Sequence, residues 1–334
     1  MNVDAMAVGP AGDISLHVPG GAGLGAIARL RADGTPDPSF GENGYSYMAL
    51  PEGDGRSFNM SLHEGKIYSV GSGGPGFELL SVSLRVSADG SLDTSFHAPA
   101  GYEYYTPEGG TVIVAAYMYG SHIAVDGSFY SCGHSFADPS ETSPYGDYNY
   151  LLLRYTPDGE RDPAFGQGGV VSLDHVGAAG PFPLPDNFCV NVGTAADGKV
   201  AFGGDAASLL FNGLSNFVVG RLLPDGRPDP SFGNQGIVEI DVGPSETMTD
   251  FVVLPDGRMV GAGFSGLNEL NPVVIVVRPD GTLDPNFGEG GVLRFPGENA
   301  GNSPVLLEVQ PDGKVLVAAT TITEGSFVAR LIVP

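Results

Sequence analysis

Short segments that alternate apolar and polar residues recur along the whole chain, and tight polar turns separate them in pairs. In FVVLPDGRMVGAG, from Phe251, β-branched and aromatic residues flank an Asp-Gly pair able to take positive φ, so the segment predicts two strands joined by a hairpin. VVIVV before Pro279 and GVLRF after Gly290 supply two more strands, four to a unit. No stretch shows a helical period, and no apolar run is long enough to predict a membrane-spanning helix.

The same unit repeats. The phrase R-x-x-x-D-G-x-x-D-x-x-F-G is written five times, starting at Arg29, Arg85, Arg154, Arg221 and, with Val in place of Arg, at Val276. The glycines of its DG pairs, Gly34, Gly90, Gly159, Gly226 and Gly281, stand 56, 69, 67 and 55 residues apart. An earlier turn precedes each phrase, at Gly12, Gly65, Gly127, Gly198, Gly257 and Gly313, which makes six units. Their boundaries fall at about 1–52, 53–105, 106–176, 177–242, 243–297 and 298–334. A lone four-stranded sheet of this size exposes both apolar faces, so neighbouring units must cover them. The pattern predicts an all-β chain, a single six-bladed β-propeller of four-stranded antiparallel blades. The sixth unit reaches Pro334 after its third strand and so lacks an outer strand in this sequence.

The signature PDGxxDPxFGxxG resembles the delta-60 repeat, a β-propeller domain of unknown function found mainly in secreted or surface proteins of bacteria, and more distantly NHL-type propellers. The resemblance implies a fold and an extracellular, cell-surface or periplasmic location, but no reaction. Three positions depart from the pattern: His97 replaces a Gly, Thr94 a Pro, and Val276 an Arg.

Composition narrows the partners. The 52 Gly and 27 Pro residues would suggest disorder, but they recur at fixed places and therefore mark turns. A net charge of −24 repels phosphate backbones and anionic lipid, which excludes nucleic acid and membrane insertion and leaves small-molecule, glycan or protein ligands. Cys132 and Cys189 permit one disulfide and form no metal-spaced pair.

Within a blade whose strands run a to d from the inside out, the PDG turns share one end and the b–c and d–a loops, which vary in length, share the other. Variable loops on a rigid scaffold are where binding groups usually sit. Alignment on the first DG turn gives Ser72, His134, Asp205, Phe264 and Thr320 one equivalent position, at the loop end of strand b. His122, His134, His175 and Asp205 suit a divalent metal by chemistry, the only cofactor the sequence suggests, although hydrogen-bonded loop or channel residues are the simpler reading. His134, His175 and Tyr145 are the candidates for proton transfer. His122, Asn191, Asp205, Asp250, Glu308, Tyr105 and Tyr148 are the candidates for ligand contact, the last two within a tyrosine-rich stretch that includes Tyr104, Tyr117, Tyr119 and Tyr150. Asp225 and Asp229 read as turn-forming side chains, with calcium binding as the alternative. There is no nucleophile elbow and no phosphate-cradling loop. Three functions remain open: a binding scaffold, a His/Tyr- or metal-assisted lyase or hydrolase, and a purely structural repeat.

Overall fold

A computed structural model describes residues 5–18, 25–47, 55–73, 80–105, 115–137, 147–174, 185–208, 215–267, 269–295, 304–310, 312–322 and 325–333. The fold is a six-bladed β-propeller. Blade 1 holds β1 (Ala5–Val8), β2 (Ile14–Val18), β3 (Ala26–Leu30) and β4 (Tyr45–Tyr47). Blade 2 holds β5 (Gly55–His63), β6 (Lys66–Gly73), β7 (Leu80–Val86) and β8 (Tyr102–Tyr105). Blade 3 holds β9 (Ala115–Ile123), β10 (Phe129–Ala137), β11 (Asp147–Tyr155) and β12 (Val170–Leu173). Blade 4 holds β13 (Pro185–Thr194), β14 (Val200–Ser208), β15 (Ser215–Leu222) and β16 (Ile237–Ile240). Blade 5 holds β17 (Glu246–Val253), β18 (Met259–Ser265), β19 (Asn271–Val277) and β20 (Val292–Arg294). Blade 6 has three strands, β21 (Leu306–Val309), β22 (Val315–Thr321) and β23 (Gly325–Leu331).

Contacts divide the chain into two units, one of Met1–Asp147 with Leu151–Ser172 and the other of Tyr148–Tyr150 with Leu173–Pro334. In each unit the apolar clusters lie between blades. Ile27 and Phe40 of blade 1 pack with Met60, Val82 and Leu84 of blade 2. Tyr68 and Val70 of blade 2 pack with Met118, Phe129 and Leu151 of blade 3. In the second unit Phe217 and Val219 of blade 4 meet Met248, Phe251 and Ile275 of blade 5, and Val260 and Val274 of blade 5 meet Val315 and Val317 of blade 6. A blade buries its faces only against its neighbours, as the repeat requires.

The turn glycines do what their spacing predicts. Gly12, Gly65, Gly127, Gly198, Gly257 and Gly313 have φ from 76° to 85°, where any other residue would be strained. The Asp of most DG pairs does not itself take positive φ. Its carboxylate accepts a hydrogen bond from the backbone two residues on, as Asp33 does from Thr35 N at 2.9 Å, and Gly34 alone turns the chain. Asp225 and Asp229 do the same with Arg227 N and Ser231 N, so both sequence candidates for calcium are turn-forming side chains.

The repeated phrase is an inter-blade staple. Arg85 Nε donates to Asp93 at 2.8 Å, the guanidinium lies 5.3 Å from the Phe96 ring centroid, and Nη1 donates to the Pro157 carbonyl of the next blade at 2.9 Å. Arg29 repeats the set with Asp37, Phe40 and Ala88 O, and Arg221 with Asp229, Phe232 and Pro279 O. Desolvation opposes the charge of Asp229, yet hydrogen bonds from Ser231 and the field of Arg221 and Lys199 hold its pKa down to about 2. In blade 5, where Val276 removes the Arg, Arg278 and Arg258 supply the cations to Asp284 at 3.1 and 3.5 Å.

Candidate functional site

The loop ends of the inner strands are shaped by one device that the strand pattern does not reveal. In blades 2 to 5 the innermost strand carries a bulge, and the residue of strand b facing it is a glycine, Gly71, Gly133, Gly204 or Gly263. A Cβ on Gly133, Gly204 or Gly263 would collide with the carbonyl oxygen of Tyr117, Phe188 or Thr247 across the ladder. The bulge re-aims the side chains around it. The next residue of strand b is then Ser72, His134, Asp205 or Phe264, the equivalence that sequence alignment gives.

In the first unit the bulge falls at Tyr119, between Met118 and Gly120. Tyr117 and Tyr119 are half-buried, their rings within 4° of parallel and 6.3 Å apart. The buried imidazole of His134, which faces Tyr117 across the ladder, lies 5.0 and 5.4 Å from the two rings. Desolvation lowers the His134 pKa to about 4 and raises that of the Tyr117 phenol, so at neutral pH both are uncharged. The result is a pair of half-buried phenol rings backed by a buried, uncharged imidazole.

His122 does not join it. It pairs with Tyr130 at the turn end of the same hairpin, four residues of β10 from His134, or about 13 Å at the usual strand rise. Burial takes its pKa to about 4 as well. Tyr105 is buried at the end of β8 under the Arg161 guanidinium, 5.4 Å from its ring centroid. His175 and Tyr145 lie outside the described residues. Among the described residues no group of three or more His, Cys, Asp or Glu side chains is placed to hold a metal ion.

The second unit places carboxyls at its blade seams. Asp205 is buried and accepts a 2.6 Å hydrogen bond from Met248 N on the next blade. Burial, with a contribution from Glu246, raises its pKa well above the usual range. Glu246 is fully buried, with Ser265 Oγ 3.3 Å from Oε1; desolvation, then the charge of Asp241, raises its pKa to about 7. The sequence reading missed Glu246. Its signal was a polar residue at the start of an inner strand where blade 3 has Ala116, a position that Asn187 fills in blade 4.

Asn191 and Asp250, read from sequence as ligand contacts, are engaged with each other. Asn191 Nδ2 donates to Asp250 Oδ1 at 3.0 Å, and Asp250 also accepts from Phe251 N and, at 2.7 Å, from Leu307 N of blade 6. Glu308 is exposed on β21, and Tyr148 stacks on Phe188 at 5.7 Å.

Comparison with known proteins agrees with this architecture. A crystal structure of an oxidoreductase assigned as a glucose dehydrogenase, from Thermus thermophilus, matches with a TM-score of 0.52 at 16% identity, covering 99% of this chain and 96% of that one. The ulvan lyase of polysaccharide lyase family PL25, bound to -[GlcA(1-4)Rha3S]-, matches with a TM-score of 0.50 at 10% identity, covering 98% of this chain and 77% of that one. At such identities the likeness establishes the fold alone. No curated protein matches the sequence. The model of a β-propeller domain of unknown function (DUF5122) matches residues 11–40 and 195–232, each running from the first DG turn of a repeat to the Phe of its repeated phrase.

Proposed function

We propose that this chain is a ligand-binding propeller, secreted or displayed at a surface, that takes a glycan or another flat, uncharged ligand on the Tyr117–Tyr119–His134 surface of blade 3. The observation that carries this reading is the pair of parallel, half-buried phenol rings beside a buried neutral imidazole. Aromatic faces stack on the apolar faces of sugar rings, and polar groups at the rim fix orientation. The net charge of −24 supports a neutral ligand and argues against polyanions and nucleic acid. An oxidising location is supported by the cysteines, neither of which is free: Cys132 and Cys189 are both disulfide-bonded. Calorimetry against a neutral glycan panel tests the reading. Tyr117→Ala and Tyr119→Ala are expected to weaken any hit at least tenfold, and a hit unmoved by both would overturn it.

A second reading is an enzyme in which His134 accepts and Tyr117 donates a proton, as in a lyase or hydrolase. What favours it is the geometry, an uncharged imidazole 5.0 Å from an uncharged phenol ring across the ladder; desolvation weakens the one as a base and the other as an acid, so a bound substrate has to bring both pKa values back toward neutrality. It predicts turnover of a bound glycan that His134→Ala abolishes and Tyr117→Phe slows without weakening binding.

A further inference from the structure

Where consecutive blades both carry the repeated phrase, it places four residues at matching points on the seam between them. On one blade they are the residue after the phrase's Phe and the second residue of strand d; on the next, the last residue of strand c and the residue before the phrase's second Asp. At the seam of blades 4 and 5 these are Gly233, Val238, Val277 and Leu283, and the last three pack in one apolar cluster. At the seam of blades 1 and 2 they are Gly41, Ser46, Val86 and Leu92, where Val86 and Leu92 again pack with Phe40.

At the seam of blades 2 and 3 all four are polar or aromatic: His97, Glu103, Tyr155 and Arg161. Glu103 is the hub, its side chain 4% exposed. It accepts the Tyr155 hydroxyl at 2.7 Å on Oε2 and the Arg161 Nε at 2.8 Å on Oε1. His97 Nε2 lies 3.8 Å from the same Oε1, and its Nδ1 lies 3.9 Å from Glu160. Burial, then the charge of Glu103, pushes the Tyr155 phenol well above its usual range, so it remains the donor. His97 holds φ at 43°, where the matching Gly41, Gly166, Gly233 and Gly288 lie between 50° and 55°. A non-glycine residue is disfavoured there, so the local turn gives no reason for a histidine.

A buried ionic cluster rarely stabilises more than well-packed apolar residues would, but breaking one partner is costly. Its effect is therefore on which surfaces can meet. Glu103 set against a Val/Leu surface like that of blade 5 would be a buried charge without a partner, and Tyr155 set against Val238 would bury an unpaired hydroxyl. All six blades come from one repeat, so wrong blade pairings are the nearest competing folds. We infer that the His97–Glu103–Tyr155–Arg161 cluster is a pairing key that admits only blade 3 beside blade 2.

The test uses the full-length protein. The variant H97G/E103V/Y155V/R161L copies the seam of blades 4 and 5. It is expected to melt within about 3 °C of the wild type or higher, a shift below about 1 kcal/mol for a chain of this size. After unfolding in denaturant and dilution, the fraction recovered at the starting size by gel filtration should fall at least twofold, the remainder appearing as larger assemblies. E103Q, which keeps the acceptor for Tyr155 but turns an amide N–H toward Arg161, should lower that fraction in the same direction and, as a single broken partner, lower the melting temperature more than the quadruple variant does. A quadruple variant that refolds like the wild type would overturn the inference. So would equal losses of melting temperature in the quadruple variant and in E103V, which would make the cluster a stabiliser and no more.

Discussion

The two units join their inner strands with different chemistry. In the first, blades 2 and 3 are linked by neutral groups: Ser121 Oγ donates to Asn59 Oδ1 at 3.0 Å and shares a 2.8 Å hydrogen bond with Ser61 Oγ. In the second, carboxyls make the links. Asp205 holds Met248 N of blade 5, and Asp250 holds Leu307 N of blade 6, while Glu246 is buried in the seam of blades 4 and 5. A neutral amide or hydroxyl bonds equally well across the physiological range. A buried carboxyl does so on condition of its protonation state, because its charged form is penalised by desolvation. The first unit is therefore indifferent to pH at these joints and the second is not. The sign follows from the pKa values. Burial raises Asp250 to about 6 and Glu246 to about 7, and holds Asp205 well above its usual range. The unfolded chain releases these protons near pH 4, so the native state binds more of them above that point. The stability these groups contribute is full below the unfolded value and drains as pH rises through 6 and 7.

The largest effect that can break this comparison is truncation of a joint in each unit. Asp205→Ala strands a buried N–H and leaves a void, and should cost about 2–4 kcal/mol in denaturant unfolding. Ser121→Ala in the first unit removes a hydroxyl among other hydroxyls and should cost about 0.5–1.5 kcal/mol. Equal costs would mean that the carboxyl joints are not special. Next in size is the pH response itself. Hydrogen exchange resolved by blade should show blades 4 to 6 losing protection between pH 5.5 and 8.5 while blades 1 and 2 keep theirs, with Glu246→Gln removing part of that loss. The smallest effect comes from transplanting the chemistry. Asn59→Asp puts a carboxyl into a half-buried joint of the first unit and should give it a weak pH dependence of the same sign, visible as lower protection factors in β5 and β9 at pH 8.5 than at 5.5, relative to the wild type.

Much of this molecule is legible in its sequence. The six turns, the four strands to a blade and the equivalence of Ser72, His134, Asp205 and Phe264 follow from spacing, because only glycine turns the chain at positive φ and alternation fixes the faces of a strand. The Arg-Asp-Phe phrase, the most regular feature of the chain, is the inter-blade staple, and regularity was a sign of structure rather than of chemistry. The candidate site was less legible. Grouping His122 with His134 ignored that they stand at opposite ends of one hairpin, a distance that register shows and residue type does not. Asn191 and Asp250 look like free polar residues in a linear chain because their partners, each other and Leu307 N, are about sixty residues away.

Local structure and the blade count follow from the order of residues alone, since turn chemistry and a period-two pattern act over a few residues and repeat faithfully. The tertiary structure alone decided what each polar residue is for. Whether Glu103, Glu246 or His134 is a staple, a buried acid or part of a ligand surface depends on what the neighbouring blade sets against it, and on how much water that contact excludes.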